Sequence, residues 1–401
     1  MKLEEAYLLE ILGNHINGTE SSLRMKNSSG VENNLFSKGN LQEDIDWDRL
    51  IELAQSHQVG AILYAQCRSF LPEQYAPQLV KQHAMSVSRF VRRKEMMRCL
   101  EDALNKEGIE YLLVKGPEVA ACYPTSFLRT MGDIDIVVHG CDKEKGHRML
   151  LDMGFYIVKI EDREWVYGIG DLHVELHDHL FYEQVVNDPA LMAFSDQVWA
   201  YTAAGEPGST RRILDWNYHF VFLVAHLKEH FLADGVGIRQ FMDLVIVSNT
   251  QKLDFGWIYV ELEKLGLLDF GRKCRGLCAS WFGVPVPVGE PLSSQICEEV
   301  ADYVMSNGVF GFQNEENTVR NRINQNGRWK ALLLTVFPSY GELCQYDQYS
   351  FVRGKPWLLP ATWVYRIFYG LRHGKATLAK QMAGAMVSDQ VLEKRKQLLE
   401  K

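Results

Sequence analysis

Two aspartates separated by one residue, Asp133 and Asp135, have the spacing that most directly predicts chemistry in this sequence. They lie in the segment GDIDIVVH, whose alternation of acidic and apolar residues predicts a strand. Residues two apart on a strand point to the same face, so the two carboxylates come close together and repel each other. Mg²⁺ relieves such repulsion and favours a few carboxylates together with phosphate oxygens. The pair therefore predicts a Mg²⁺ site for phosphoryl chemistry, with Mn²⁺ as the alternative ion.

A second polar set with the same spacing of two lies in the segment DLHVELHDHL. On a strand, Glu175 and His177 would share one face while Val174 and Leu176 occupy the other. Glu175 is the predicted third ligand, because a third carboxylate allows two ions to bind the entering and leaving oxygens of an in-line displacement. His177 is predicted to position a nucleophile, to take its proton or to hold a phosphate.

The turn in the segment LLVKGPE is the predicted phosphate-binding part. An apolar strand ends at Gly116, and Pro117 suits the first position of a helix, whose backbone N–H groups would face an anion. Lys115 adds a cation beside this turn. Arg129 precedes Asp133 by four residues, close enough to donate to the same phosphates with its planar guanidinium.

The elements that must position these residues change along the chain. Residues 1–107 are predicted to be helical, apart from a polar loop between Met25 and Asn40. Residues 108–185 alternate strands and helices, and their short connections favour a mixed sheet. Residues 186–401 are predicted to be helical again, with an amphipathic helix at the end. The fold class is therefore α+β, a small mixed-sheet core flanked by helical regions.

The bulk composition limits the partners and the compartment. A net charge of −8 over 401 residues argues against extended nucleic acid, because neutralising phosphates requires a basic surface. Eight scattered cysteines without a CxxC pair fit a reducing compartment. The acidic N-terminus does not resemble a signal peptide, and no uncharged apolar run reaches the ~18 residues of a membrane span. We expect a cytoplasmic protein with no transmembrane segment.

The order of these segments resembles the bacterial nucleotidyltransferase family proteins of the DNA polymerase beta-like nucleotidyltransferase superfamily. The resemblance rests on Arg129 and on the segments LLVKG, GDIDIVV, MGF and HVELH, and it extends to DWDRLIELAQSHQVGAILY, H.KEH…G.G.RQF.DL and PWLLPATWVYRI. It implies a nucleotidyltransferase core with two metal ions at Asp133, Asp135 and Glu175. It also implies a nucleoside triphosphate such as ATP near Gly116, and it makes Arg239 a candidate phosphate or substrate contact.

The chain departs from the superfamily pattern directly after Gly116. The usual turn is Gly-Gly or Gly-Ser, whereas Pro117 has neither an N–H nor a hydroxyl to offer a phosphate. Triphosphate binding would then depend on Lys115, Arg129 or the helical regions.

The reaction implied by the resemblance is transfer of a nucleoside monophosphate from the triphosphate to an acceptor, with release of pyrophosphate. The sequence does not identify the acceptor, which could be a small molecule, a protein or a short RNA end. A non-catalytic nucleotide-binding or antitoxin-like regulatory module is the alternative, and the intact carboxylates favour the enzyme.

Four other clusters have competing interpretations. His219, His226 and His230 share one helical face and fit a zinc site, a role in the nucleotide cleft or simple packing. The HxExHxH pattern at 173–179 fits a zinc hydrolase only if the two aspartates are incidental. Arg239 and Asp243 have the i, i+4 spacing of a helix-face ion pair. The aromatic and basic residues between 357 and 375 fit either membrane-surface docking or packing of the C-terminal helices.

Overall fold

The computed structural model of the chain describes residues 1–19, 45–160, 165–181, 188–232, 236–285, 292–307, 340, 343, 351–352 and 355–372. The predicted loop between Met25 and Asn40 and the predicted amphipathic helix at the C-terminus lie outside these residues.

A seven-stranded mixed sheet positions the predicted site residues. Across the sheet the strands are β3 (Tyr156–Ile160), β4 (Trp165–Ile169), β5 (Leu172–His177), β2 (Asp133–Val138), β1 (Tyr111–Val114), β7 (Arg211–Leu214) and β6 (Thr202–Ala204). The β2–β5 and β1–β7 pairs are parallel, and the other neighbouring strands are antiparallel. The predicted α+β class with a mixed sheet is confirmed.

Helices precede, interrupt and follow the sheet. Before it lie α1 (Leu3–Asn17), α2 (Trp47–Ser56), α3 (Gly60–Cys67) and α4 (Ala76–Glu107). Within it lie α5 (Gly116–Cys122), α6 (Lys143–Asp152) and α7 (Pro189–Asp196). After it lie α8 (Trp216–Leu232), α9 (Ile238–Thr250), α10 (Phe255–Lys264), α11 (Leu268–Phe282), α12 (Ser294–Asn307) and α13 (Leu359–Arg372). In this described part of the chain, no helix combines the length and the apolar character needed to cross a bilayer.

The sheet separates two hydrophobic cores because successive strand residues point to opposite faces. One face packs against α4 and α6 through Leu100, Leu104, Met149 and Leu150. The opposite face meets a larger core in which α1, α2 and α3 pack together with α8, α9 and α11. The helical segments before and after the sheet therefore share one core over the site.

Two strands lie in a region that was predicted to be helical. β6 and β7 fall between residues 202 and 214 and extend the sheet at the edge next to β1. They are only three and four residues long, so their periodicity is too short to detect in the sequence. β7 becomes a strand through its pairing with β1, which joins Tyr111 to Arg211 and Leu112 to Arg212. The domain boundaries at residues 107 and 185 stay a prediction.

Candidate active site

The register of β2 and β5 brings the predicted acidic residues side by side. Asp133 lies opposite His173, Asp135 opposite Glu175, and Val137 opposite His177. These six residues form what we call the site face, which looks toward the helical core. The residues between them form the core face, which is buried against α4 and α6: Ile134, Ile136, Val138, Val174 and Leu176. The predicted strand alternation is confirmed.

Three possible ligand atoms converge on the site face. One atom each from Asp135, Glu175 and His177 lies within 4.8 Å of the other two. His177 Nε2 is 3.4 Å from Asp135 Oδ1 and 3.2 Å from Glu175 Oε2. Glu175 is 26% exposed and Asp135 only 2%, so the glutamate is the carboxylate that a ligand from solvent reaches first. His177 therefore joins Asp135 and Glu175 as a candidate ligand, whereas Asp133, also predicted as a ligand, lies outside this group.

The charges around Asp135 are strongly coupled. Lys115 Nζ lies 2.8 Å from Asp135 Oδ1. Burial alone would raise the pKa of Asp135, but Lys115 and His177 outweigh it and hold that pKa below its usual range. Burial alone would lower the pKa of His177, but Asp135 and Glu175 outweigh it and raise that pKa to about 9. Lys115 and His177 therefore serve as cations for Asp135 in the protein alone.

The cations Lys115 and Arg239 compensate Asp133 only in part. Burial, together with the negative charges of Asp135 and Glu175, raises the pKa of Asp133 to about 7. A bound cation would relieve the repulsion between Asp133 and these like charges. The neighbouring group of Asp135, Glu175 and His177, which does not include Asp133, offers carboxylate oxygens of the kind that Mg²⁺ and Mn²⁺ prefer, together with one imidazole nitrogen. The residues present therefore fit a divalent metal.

The turn after β1 has a conformation that a lysine rarely adopts. Lys115 has a φ of +54° and a ψ of −105°, which costs about 1–3 kcal/mol and persists only when neighbours enforce it. Its backbone N–H donates to Nε2 of His219 at 3.0 Å. Burial, together with the cations Arg129 and Lys115, lowers the pKa of His219 to about 3, which keeps the ring neutral and able to accept. α8 therefore holds this turn.

Gly116 is required by close packing of the same turn against the loop before β2. A Cβ at this position would lie 3.2 Å from Met131 Sδ and 3.3 Å from the backbone oxygen of Asp133. Both approaches are tighter than ordinary van der Waals contact. The glycine lets the Lys115 turn lie directly beside the start of the acidic strand.

Arg129 is buried in an ion pair. Its Nε and Nη2 donate to the two carboxylate oxygens of Asp243, each at 2.9 Å, and its Nη1 donates to the carbonyl of Gly116 at 3.1 Å. Asp243 is therefore paired with Arg129. The predicted helix-face ion pair between Arg239 and Asp243, based on their i, i+4 spacing, is not formed. These contacts tie α9 to the Gly116 turn. A phosphate-binding role for Arg129 stays a prediction.

Arg239 lies on the other side of the same loop. Its Nη1 donates to Gln58 Oε1 at 2.9 Å and to Thr130 Oγ1 at 3.2 Å. Burial lowers its pKa, and the neighbouring cation Arg129 lowers it further. The structure therefore places Arg239 beside the loop that leads into Asp133.

Sequence reasoning missed Arg93 of α4. Its side chain is only 8% exposed, and its Nη2 contacts the carbonyl of Gly132 at 3.4 Å. The signal was present in the sequence, because the buried residues Leu79, Ser86, Arg93 and Leu100 recur every seven positions along this helix. An arginine on the buried stripe of a helix is unusual, since charged side chains are rarely fully buried without a partner.

The histidines on α8 have different surroundings. His219 supports the Lys115 turn, whereas His226 and His230 contact each other through their Nε2 atoms at 3.0 Å. The one potential metal-binding group among the described residues is that of Asp135, Glu175 and His177, and it includes none of the α8 histidines. The group includes Asp135, whereas the zinc hydrolase interpretation required both aspartates to be incidental.

In the C-terminal aromatic segment, some side chains are packed and others are exposed, so both the packing and the membrane-docking interpretations stay predictions. Trp363 packs partly against Leu343 and Val352, as the packing interpretation expects. Trp357 is 71% exposed and Tyr365 is 46% exposed, as a docking surface would require. Residue 375 lies outside the described residues.

One known protein family matches the region of the chain that contains the sheet and its covering helices. A family model described as "Uncharacterised nucleotidyltransferase" matches residues 43–283. This is well over half of the 401 residues, and it includes every residue described above for the site. No curated protein matches the chain.

Proposed function

Because the chain belongs to this family of uncharacterised nucleotidyltransferases, we propose that it transfers a nucleoside monophosphate from a nucleoside triphosphate to an acceptor and releases pyrophosphate. The observation that carries the proposal is the pairing of Asp135 with Glu175 on one strand face, beside Lys115 and His177. We further propose that the protein is of the bacterial, DNA polymerase beta-like kind.

Asp133, Asp135 and Glu175 are the residues we propose to hold Mg²⁺ or Mn²⁺, with His177 as a further donor. The bound metal would supply charge neutralisation at the reacting phosphate and at the leaving oxygen. The ligand atoms of Asp135, Glu175 and His177 lie within 4.8 Å of one another, which supports these three residues, and the like charges that raise the pKa of Asp133 support including it.

The acceptor oxygen would form a bond to the α-phosphorus while the bond from that phosphorus to the pyrophosphate oxygen breaks. The acceptor proton needs a base on the solvent side of the cluster. Glu175 suits this role because its carboxylate is the more exposed one and bears no lysine partner in the described structure. Most of the catalysis would come from positioning and electrostatic stabilisation.

Lys115 and His177 would hold the phosphates. Both are cations paired with Asp135 in the protein alone, and the raised pKa of His177 favours donation to a phosphate over removal of a proton. With the charge of Asp135 neutralised by a divalent ion, Lys115 and His177 could redirect their hydrogen bonds to the nucleotide. We place the triphosphate near Gly116, with Arg239 as a further substrate contact.

Product analysis with labelled nucleotides tests the reaction. The protein would be incubated with Mg²⁺, a metabolite extract and each of the nucleoside triphosphates carrying a label in the α-phosphate. We expect one labelled adduct and an equal amount of pyrophosphate, and neither from the variant Asp135→Asn. Tight nucleotide binding without adduct or pyrophosphate would instead establish the non-catalytic or antitoxin-like module. The mass of the adduct would identify the acceptor as a small molecule, a protein or a short RNA.

A further inference from the structure

Two arginines beside Asp133 are buried without an anionic partner. Arg93 on α4 and Arg239 on α9 are each only 8% exposed. Within the residues that the structure describes, neither guanidinium forms an ion pair with a carboxylate. Arg129, which is equally buried, has both oxygens of Asp243 as partners. The contrast shows that one buried arginine is paired directly with a carboxylate, whereas in the described structure the charges of the two others are offset only by the more distant carboxylates of Asp133, Asp171 and Asp243.

Both arginines converge on one short loop. Arg93 Nη2 lies 3.4 Å from the carbonyl of Gly132, and Arg239 Nη1 donates to the carbonyl and the hydroxyl of Thr130. The loop leads directly into Asp133, so the two guanidiniums approach the acidic strand from α4 on one side and from α9 on the other. The Nε of Arg239 is buried and has no hydrogen-bond partner.

The turn between α2 and α3 holds Arg239 in place. Gln58 has a φ of +57°, and it and Lys115 are the non-glycine residues with positive φ in the described structure. Its side chain accepts from Arg239, and its carbonyl accepts from Thr130 Oγ1 at 2.9 Å. Backbone strain of this kind persists only where the surrounding structure enforces it, and it concentrates at functional sites. Both strained residues flank the same acidic strand.

The energetics argue against a purely structural role. Burying a cation without a counter-charge costs several kcal/mol, because neutral carbonyls replace only part of its hydration. Burial accordingly lowers the pKa of Arg93, and the charge of Asp133 only partly offsets this. A neutral side chain could hold the loop at lower cost. Two retained guanidiniums instead indicate a site prepared for an anion.

We propose that Arg93 and Arg239 bind the β- and γ-phosphates of the nucleotide, beside Asp133. This inference rests on the proposed function, because it assigns part of the same active site. A polyphosphate matches two converging planar donors, each of which can make paired hydrogen bonds. Arg89 lies one turn before Arg93 at the surface of α4 and extends the positive charge toward solvent. The phosphate site thereby replaces the contacts that Pro117 cannot make.

Calorimetry with two probes tests the assignment. Inorganic tripolyphosphate and each of the nucleoside triphosphates would be titrated, with Mg²⁺, into the wild-type protein, Arg93→Gln and Arg239→Gln. Arg92→Gln is the matched control, because Arg92 is the neighbouring residue, has the same charge and is exposed in an ion pair with Asp171. We expect each buried variant to bind tripolyphosphate and the triphosphate about ten- to a hundredfold more weakly, and the control to bind normally.

Titration with a nucleoside monophosphate distinguishes the loss of a local phosphate site from general damage to the fold. It lacks the β- and γ-phosphates, so its affinity should be equal in the wild type and in both variants. Arg93→Gln should also melt at the same or a higher temperature without phosphate, whereas a merely structural arginine would lower that temperature. Equal triphosphate affinity in wild type and variants would overturn the phosphate site and leave the proposed function standing. A wild-type protein that binds no triphosphate but keeps its arginine-dependent tripolyphosphate binding would overturn the proposed function alone, and failure to bind either probe would overturn both.

Discussion

The site face and the core face are built from alternate residues of the same two strands, yet opposite physical terms dominate them. On the core face, Ile134 and Ile136 of β2 pack against Val174 and Leu176 of β5 with almost no exposure. One residue further along the chain, Asp135 and Glu175 are carboxylates with oxygens within 4.8 Å of each other. The core face lowers the free energy of the fold by apolar burial, whereas the site face raises it by holding like charges together.

In the centre of the sheet, therefore, adjacent residues of one strand have different roles: one packs in the apolar core and the next contributes to the candidate site. The core face fixes the register of β2 against β5, and that register alone decides which acidic residues meet. Substitutions on the two faces should therefore change different measured quantities. Five experiments test whether the two faces differ in this way.

The largest expected effect is the loss of transfer on neutralising either aspartate. Asp133→Asn and Asp135→Asn should each reduce pyrophosphate release by more than about a thousandfold, since even an outer-shell partner of a metal ligand is worth ~10–100-fold. Their stabilities without metal should differ. Asp133→Asn relieves repulsion and should raise the melting temperature, whereas Asp135→Asn leaves Lys115 and His177 without their partner and should lower it. Near wild-type turnover in either variant would contradict the site.

The next effect concerns the exposed carboxylate of the site face. Glu175→Gln should reduce turnover by about 10²–10⁴-fold, the usual contribution of a general base. Nucleotide affinity by calorimetry should change little, because Asp133, Asp135 and the cations that would hold the phosphates are untouched. A large loss of affinity with turnover preserved at saturation would show that Glu175 binds substrate and does not take the proton.

On the core face, Ile136→Ala should cost stability and leave the chemistry alone. Ile136 is 1% exposed, and such truncations cost about 2–5 kcal/mol in the free energy of unfolding. Urea unfolding would measure the loss, and pyrophosphate release per folded molecule should stay at the wild-type level. Ile157→Ala on β3 is the matched control, because the same side chain is 43% exposed there and its removal should cost little.

The helix that covers the site face provides a finer test. His219→Leu leaves the backbone N–H of Lys115 buried without an acceptor, which costs about 1–3 kcal/mol. His219→Gln supplies an amide oxygen near the position of Nε2 and should restore most of the unfolding free energy. If both variants were equally stable, the hydrogen bond would not be what holds the strained turn.

The smallest expected effect is a dependence of stability on pH. Burial lowers the pKa of His57 to about 4, against 6.5 in an unfolded chain. Between these values the unfolded chain binds more protons, so stability should fall by about 1 kcal/mol per pH unit as the pH drops from 6.5 toward 4. His57 Nδ1 accepts from the backbone of Ile238, and Asn can replace that atom. Urea unfolding of His57→Asn should therefore show a shallower pH dependence than the wild type.

Much of the sheet followed from local patterns. Strand alternation in GDIDIVVH and DLHVELHDHL indicated which residues share a face, and the pairing of Asp135 with Glu175 agrees with that expectation. β6 and β7 were missed because they form through pairing with neighbouring strands, β7 with β1 and β6 with β7, and not through a pattern in their own sequence. Arg129 illustrates a different limit, because its sequence position did not indicate that its guanidinium pairs with Asp243, more than a hundred residues away, while its predicted phosphate contact stays a prediction.

Local sequence was enough to predict the types and the period of the site residues: carboxylates two apart on a strand, and a lysine and glycine at a turn. Those features depend on neighbours in the chain and on the geometry of an extended backbone. Tertiary structure decided the electrostatic partners. Arg93 from α4, Gln58 from the α2–α3 turn and Arg239 from α9 reach the loop before Asp133, and His219 supports Lys115 from α8. Charge interactions and hydrogen bonds depend on distance in space, which local sequence does not specify.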